Sequence, residues 1–159
     1  VAAARRIGVV IEVRTGTGGA SAVFERVPLD KLVPAGSAVE TWLDQLATET
    51  GPSRLELIRS LAGSKDPRAV PALIGVLVDR WVDARKAAAI GLQQLGDKTA
   101  LAPLVTAAGA ETDDGAALAM VAAIAQLGGI EARESLGNLS RTHPNELVRN
   151  RAKYEVDRL

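Results

Sequence analysis

Apolar side chains in the second half of the chain fall on a helical stripe, and the stripe recurs. In the segment 84–96, Ala84, Ala87, Ala88, Gly91, Leu92 and Leu95 lie at i, i+3, i+4, i+7, i+8 and i+11. That spacing places them on one face of a 3.6-residue helix. Arg85, Lys86, Ala89, Gln93 and Gln94 fall on the other faces. A shift of 32 residues gives the segment 116–128, and a further 32 gives 148–159. Three columns stay apolar in all copies: Ala88/Met120/Ala152, Leu92/Ile124/Val156 and Leu95/Leu127/Leu159. Gly96 and Gly128 end the first two copies, where a helix C-terminus favours a residue that tolerates positive φ. A period of this size predicts stacked helical units.

A second helix precedes each copy. Asp66-Pro67 is a start signal, with Asp as N-cap and Pro at the first helical position. Val70, Leu73, Ile74 and Leu77 follow at helical spacing. The counterpart from Asp97 carries Ala100, Leu101, Leu104, Val105 and Ala108, and a third from about Ile130 carries Ala132, Leu136 and Leu139. Upstream, 38–48 and 53–62 read as another pair, divided at Gly51-Pro52, with stripes Trp42/Leu43/Leu46 and Leu55/Ile58/Leu61. It predicts a divergent first repeat or a capping unit.

The amino-terminal part has a different period. Ile7, Val9, Ile11 and Val13 alternate with Gly8, Val10, Glu12 and Arg14, and residues 22–27 read as a second strand beyond the turn-like segment 15–19. A lone hairpin is marginal in water, so it must pack on the helices, pair with another chain or complete a neighbouring sheet. The pattern therefore predicts a mainly α chain: an α-solenoid of antiparallel helix pairs over 37–159, about four in number, and a small β-hairpin with linker over 1–36.

The copies resemble the HEAT repeat family, in particular the short bacterial type first associated with phycobilisome lyases. Its second helix reads Val-Arg-x-x-Ala-x-x-x-Leu-x-x-Leu-Gly-Asp. Arg85 and Arg149 occupy the Arg position, and Gly96-Asp97 matches the ending, whereas Ala117 replaces Arg in the middle copy. The resemblance covers roughly 66–159 and implies a HEAT-like solenoid. Such a fold hosts many functions.

Composition narrows these. Aromatic residues make up 3% of the chain, so the core is built from Ala, Leu, Val and Ile, which suits closely packed helices better than a large ligand cavity. Lys plus Arg equal Asp plus Glu at 19 each, and no Lys or Arg lies between Thr99 and Gly129. Both features argue against a continuous nucleic-acid groove. With no Cys, thiol catalysis, disulfides and zinc-thiolate sites are absent. No apolar run reaches the roughly 18 residues of a membrane helix. The first residue is Val1, which suggests a processed product or an excised piece. The compartment stays open, with the cytoplasm slightly favoured over an exported form.

Individual residues offer little chemistry. The 15–19 segment lacks the Gly-Lys-Ser/Thr ending of a phosphate loop and does not lead into a helix. His143, the single histidine, precedes Pro144 and reads as a solvated loop residue. Asp113-Asp114 reads as a helix N-cap rather than an acid–base pair, and Asp79 and Asp83 read similarly. No catalytic residue, metal or cofactor is expected, and the chain is not expected to be an enzyme. The lyase relatives, which attach or remove linear tetrapyrroles, supply the enzymatic alternative. The expected role is protein binding along a polar ridge of the second helices, with Arg85, Lys86, Gln93, Arg149, Lys153 and Trp81 as contact candidates. Nucleic-acid binding and membrane insertion are not expected. Self-association or membership of a larger assembly through an edge strand of the hairpin is the alternative.

Overall fold

The computed structural model describes residues 36–159. The expected β-hairpin and most of its linker lie outside the described residues. The chain divides into two units, Val1–Ser37 and Ala38–Leu159. The helices are α1 (Gly36–Thr48), α2 (Gly51–Gly63), α3 (Ala69–Val76), α4 (Val82–Leu95), α5 (Leu101–Ala110), α6 (Asp114–Leu127), α7 (Ile130–Thr142) and α8 (Glu146–Arg158), with a 3-10 turn Lys98–Ala100 leading into α5. No strand occurs among the described residues.

Helix ends follow local chemistry. Gly96 closes α4 at φ 68° and Gly128 closes α6 at φ 65°, each donating its N–H back to the last turn. Asp113 accepts from Ala116 N at the start of α6, and Asn145 accepts from Leu147 N at the start of α8. One boundary differs from expectation. Asp66 does accept from Arg68 N, but Pro67 and Arg68 form a turn and α3 proper begins at Ala69. The Ala69 and Val70 N–H groups bond to Asp66 and Pro67 carbonyls, the i to i+3 pattern of a tightened first turn.

The second helices α2, α4, α6 and α8 pack successively on one another, while α3, α5 and α7 pack against their own partners α4, α6 and α8. Two of the register columns are buried in every copy, whereas Leu159, in the column of Leu95 and Leu127, is exposed. Ala88, Met120 and Ala152 are all fully buried, as are Leu73, Leu104 and Leu136 in the first helices. Leu92 and Ile124 are fully buried, and Val156 packs on the same core partly exposed. Each hairpin thus covers the apolar stripe of its neighbour. Small residues set the spacing between layers. A Cβ built on Gly91 would stand 2.9 Å from Ala62 Cβ and 3.0 Å from Leu73 Cδ1, so α2 and α4 are in backbone contact range there.

Candidate functional site

The turns that join first to second helices carry the polar chemistry. Arg54 Nε and Nη2 reach Asp79 Oδ2 at 3.1 and 3.0 Å. One repeat later, Arg85 Nε and Nη2 reach Glu111 Oε2 and Oε1 at 2.6 and 2.8 Å. Each arginine also closes its own turn, Arg54 on the Leu46 carbonyl and Arg85 on the Asp79 carbonyl. The Arg85 side chain is 16% exposed and that of Glu111 is 3% exposed. Arg85 holds the Glu111 carboxyl below its ordinary range, against the opposing push of burial, and the Thr112 and Asp113 N–H groups add to the lowering. Arg85 is therefore an inter-repeat clamp and not a free contact residue.

The acceptors themselves form a column of period 32: Asp79, Glu111 and His143. Each accepts the backbone N–H two residues on, Trp81 N at 2.8 Å, Asp113 N at 3.0 Å and Asn145 N at 3.1 Å. Where Ala117 replaces the arginine, His143 replaces the acid. His143 is 3% exposed, with Nε2 at 3.1 Å from the Ala108 carbonyl, which corrects the expectation of a solvated loop histidine. Because Nδ1 accepts from Asn145, the proton sits on Nε2 and is donated to Ala108. The period alone marked this position. His143→Leu is expected to destabilise the protein by about 2 kcal/mol in urea titration, since it strands the Ala108 carbonyl and the Asn145 N–H.

The remaining candidates do not share one face. Gln93 Nε2 donates to Gln126 Oε1 of the next repeat at 2.6 Å. Arg149 Nη1 donates to the His143 and Pro144 carbonyls, both at 2.8 Å. Lys153 is exposed, in register with the fully buried Ala89 and Val121. Trp81 stands at the N-cap position of α4 without a side-chain cap, partly buried against the core. It lines an open groove of about 860 Å³ with Thr48, Glu49, Arg54, Asp79 and Arg80.

Lys86 alone of the six lies on the open side of the second helices. Its register companions are Leu118 and Asn150, and the adjoining column is Ile90, Ala122 and Tyr154. Ile90 is 39% exposed, Leu147 is 49% exposed and Tyr154 is 53% exposed. Between α2 and α4 this side forms a groove of about 600 Å³ lined by Leu55, Arg59, Lys86, Ile90 and Gln94 among others. On α6 it is uncharged, because residues 115–127 contain no charged side chain. On α8 it ends in a charged, aromatic margin: Arg151, paired with Glu155 at 2.7 Å, and Arg158 lie 5.7 and 5.2 Å from the Tyr154 ring centroid, and Arg158 Nη1 donates to the Tyr154 hydroxyl at 3.1 Å. The expected polar ridge is thus an apolar strip with charged margins. Its sequence signal was the apolar character of α6 on nearly every side, broader than one buried stripe requires. Among the described residues no cluster of three or more His, Asp or Glu could hold a metal ion, and no helix is long and apolar enough to cross a membrane.

Antiparallel helix pairs stacked in register define an α-solenoid. Residues 39–125 match the sequence profile of HEAT repeats, and the chain belongs to the HEAT repeat family. No curated protein sequence matches the chain. Among solved structures it is similar to a chain of the complex of CpcE and CpcF of phycocyanin lyase from Nostoc sp. PCC7120, at 26% identity and a TM-score of 0.61. The alignment covers 78% of this chain and 54% of that one, so this chain spans about half the length of that relative.

Proposed function

We propose that this chain is a protein-interaction module, without catalytic activity of its own, that receives a protein partner on the open side of α4, α6 and α8. One observation carries the reading: the uncharged strip of Leu118 and Ala122, continued by Ile90, between Lys86 on one margin and Arg151, Tyr154 and Arg158 on the other. Exposed apolar surface rimmed by charge is the usual anatomy of a binding patch. Small side chains on α6 let a partner helix approach closely, while Tyr154 is the type of residue that anchors interfaces. The similar solved chain is part of a two-protein complex, which supports a protein as the ligand. The strip without Lys or Arg argues against nucleic acid.

The test compares wild type with the double variant Ile90→Glu/Ala122→Glu as baits for affinity capture from the native cell. The expected result is loss of at least about tenfold in a reproducibly captured protein, equivalent to about 1.4 kcal/mol, with helicity unchanged. Equal recovery by the two baits would sink the assignment. A second reading follows from the likeness to a phycocyanin lyase chain: action on a linear tetrapyrrole. Mixing the protein with a bilin tests it, and a shifted absorption band would favour that reading over the first.

A further inference from the structure

The joint between the α5–α6 hairpin and the α7–α8 hairpin is built differently from the two joints before it. Arg54 reaches Asp79 across the first joint, and Arg85 reaches Glu111 across the second. At the third joint Ala117 and His143 stand in those two registers, and no ion pair crosses it among the described residues. The chain connection differs as well. Between the first two hairpins Asp66 accepts from Arg68 N, and between the next two Asp97 accepts from Thr99 N at 2.8 Å. Between the last two stand Gly128 at φ 65°, ψ −172° and Gly129 at φ 92°, ψ 174°, conformations that glycine alone adopts readily, and α7 starts without a side-chain cap.

The packing also changes. Gly91 meets Ala62 of the preceding second helix, and its register companions are Ala123 and Glu155, all three buried. A carboxylate thus stands where the first two joints place a hydrogen atom and a methyl group. Glu155 pairs at 2.7 Å with Arg151 of its own helix, so the pair travels with α8 and does not hold it to α6. Its burial costs solvation, and no hydrogen bond from α6 offsets that cost among the described residues. The polar contacts that do cross the joint lie at the turn end: His143 Nε2 donates to the Ala108 carbonyl at 3.1 Å, and Asn145 Nδ2 donates to the Asp114 carboxylate. Glu155 and the Gly128–Gly129 connection lie at the opposite end, because α6 and α8 both begin at the turns and run away from them. All of these features sit between the two hairpins, so they hold whatever adjoins the far side of α8.

We propose that this joint is a hinge. The α7–α8 hairpin swings as one body against α2–α6, pivoting on the His143 and Asn145 bonds, with the backbone change taken up at Gly128 and Gly129 and with Glu155 hydrated in the open form. The apolar strip crosses the joint between Ala122 and Tyr154, so the swing changes its curvature. That consequence rests on the partner reading above; the hinge itself does not.

The chain has no cysteine, so spin labels attach only to introduced ones. Glu40, Pro71, Ala102 and Glu134 are exposed and share one register of the first helices. Labels at 71 and 134 span the second and third joints, labels at 40 and 102 span the first and second, and labels at 134 and 157 report the α7–α8 hairpin alone. Pulsed electron paramagnetic resonance should give a distance distribution about twice as broad for 71/134 as for the other two pairs. Two variants should narrow it to the width of the controls: Ala117→Arg/His143→Glu, which copies the Arg85–Glu111 clamp, and Glu155→Ala, which restores a small residue to its column. Equal widths for 71/134 and 40/102 would overturn the proposal. So would a broad 134/157 distribution, because the hairpin then frays instead of swinging, or a 71/134 width that the folded clamp variant or Glu155→Ala leaves unchanged. If the clamp variant does not fold, Glu155→Ala alone decides. No partner is present in the measurement, so failure of the strip as a binding surface leaves its outcome untouched.

Discussion

Arg85→Met is expected to lower the stability of the protein by about 3 kcal/mol, at the lower end of the range for breaking a buried ion pair because Arg85 keeps some solvent contact. The variant leaves the Glu111 carboxylate, 3% exposed, with only the Thr112 and Asp113 N–H groups as donors. It also frees the Asp79 carbonyl that Arg85 Nη1 holds at 2.8 Å. The measurement is urea unfolding followed by circular dichroism. A loss below about 1 kcal/mol would class the pair with exposed salt bridges and refute its role as a clamp. Arg85→Met/Glu111→Leu should recover much of the loss, since replacing both partners removes the buried charge together with its counter-ion. The pair also sets a pH dependence. The carboxyl of Glu111 is lowered from its ordinary 4.5, so the unfolded chain binds its proton first as pH falls. The contribution of Glu111 is complete above about pH 4.5 and is lost as pH drops through the lower folded value. Arg85→Met should flatten this part of the acid limb of the stability profile.

Gly91→Val is expected to cost about 3 kcal/mol, visible as a fall of roughly 10 °C in thermal midpoint. The first added carbon would already stand 2.9 Å from Ala62 Cβ, an atom with no rotamer to adjust, so α2 and α4 must separate. Gly91→Ala places the same carbon but gains about 1 kcal/mol of helix propensity, which offsets part of the strain. The ordering Val below Ala below wild type is the check, and an alanine variant more stable than wild type would show that the two helices yield at this point. Gly109 serves as the contrast, because the nearest atom to a Cβ there is 3.9 Å away.

Much of the helical architecture was legible in the order of residues. The apolar columns Ala88/Met120/Ala152 and Leu73/Leu104/Leu136 are local helical stripes repeated at constant spacing, and all six side chains are fully buried. The Gly96, Gly128 and Asp113 signals placed helix ends correctly because capping involves only neighbours in sequence. The site was less legible. Arg85, Gln93 and Lys86 look alike on a helical wheel, each off the apolar stripe. In the stack, Arg85 and Gln93 bond to Glu111 and Gln126 of the next repeat, whereas Lys86 stays exposed.

A single α-helix has one buried stripe in its sequence but two neighbours in a solenoid, and periodicity reports the first far more clearly than the second. Repeat length, helix boundaries and the hydrophobic columns follow from forces acting within one hairpin, so they could be read residue by residue. Which polar side chain clamps a neighbour, and which apolar one stays uncovered, depends on how successive hairpins are placed against each other. That placement is set by contacts such as Gly91 on Ala62 and Arg85 on Glu111, which join residues about thirty positions apart. His143 shows the difference: its neighbours in sequence suggest an exposed turn, and packing against the Ala108 carbonyl of the preceding hairpin buries it.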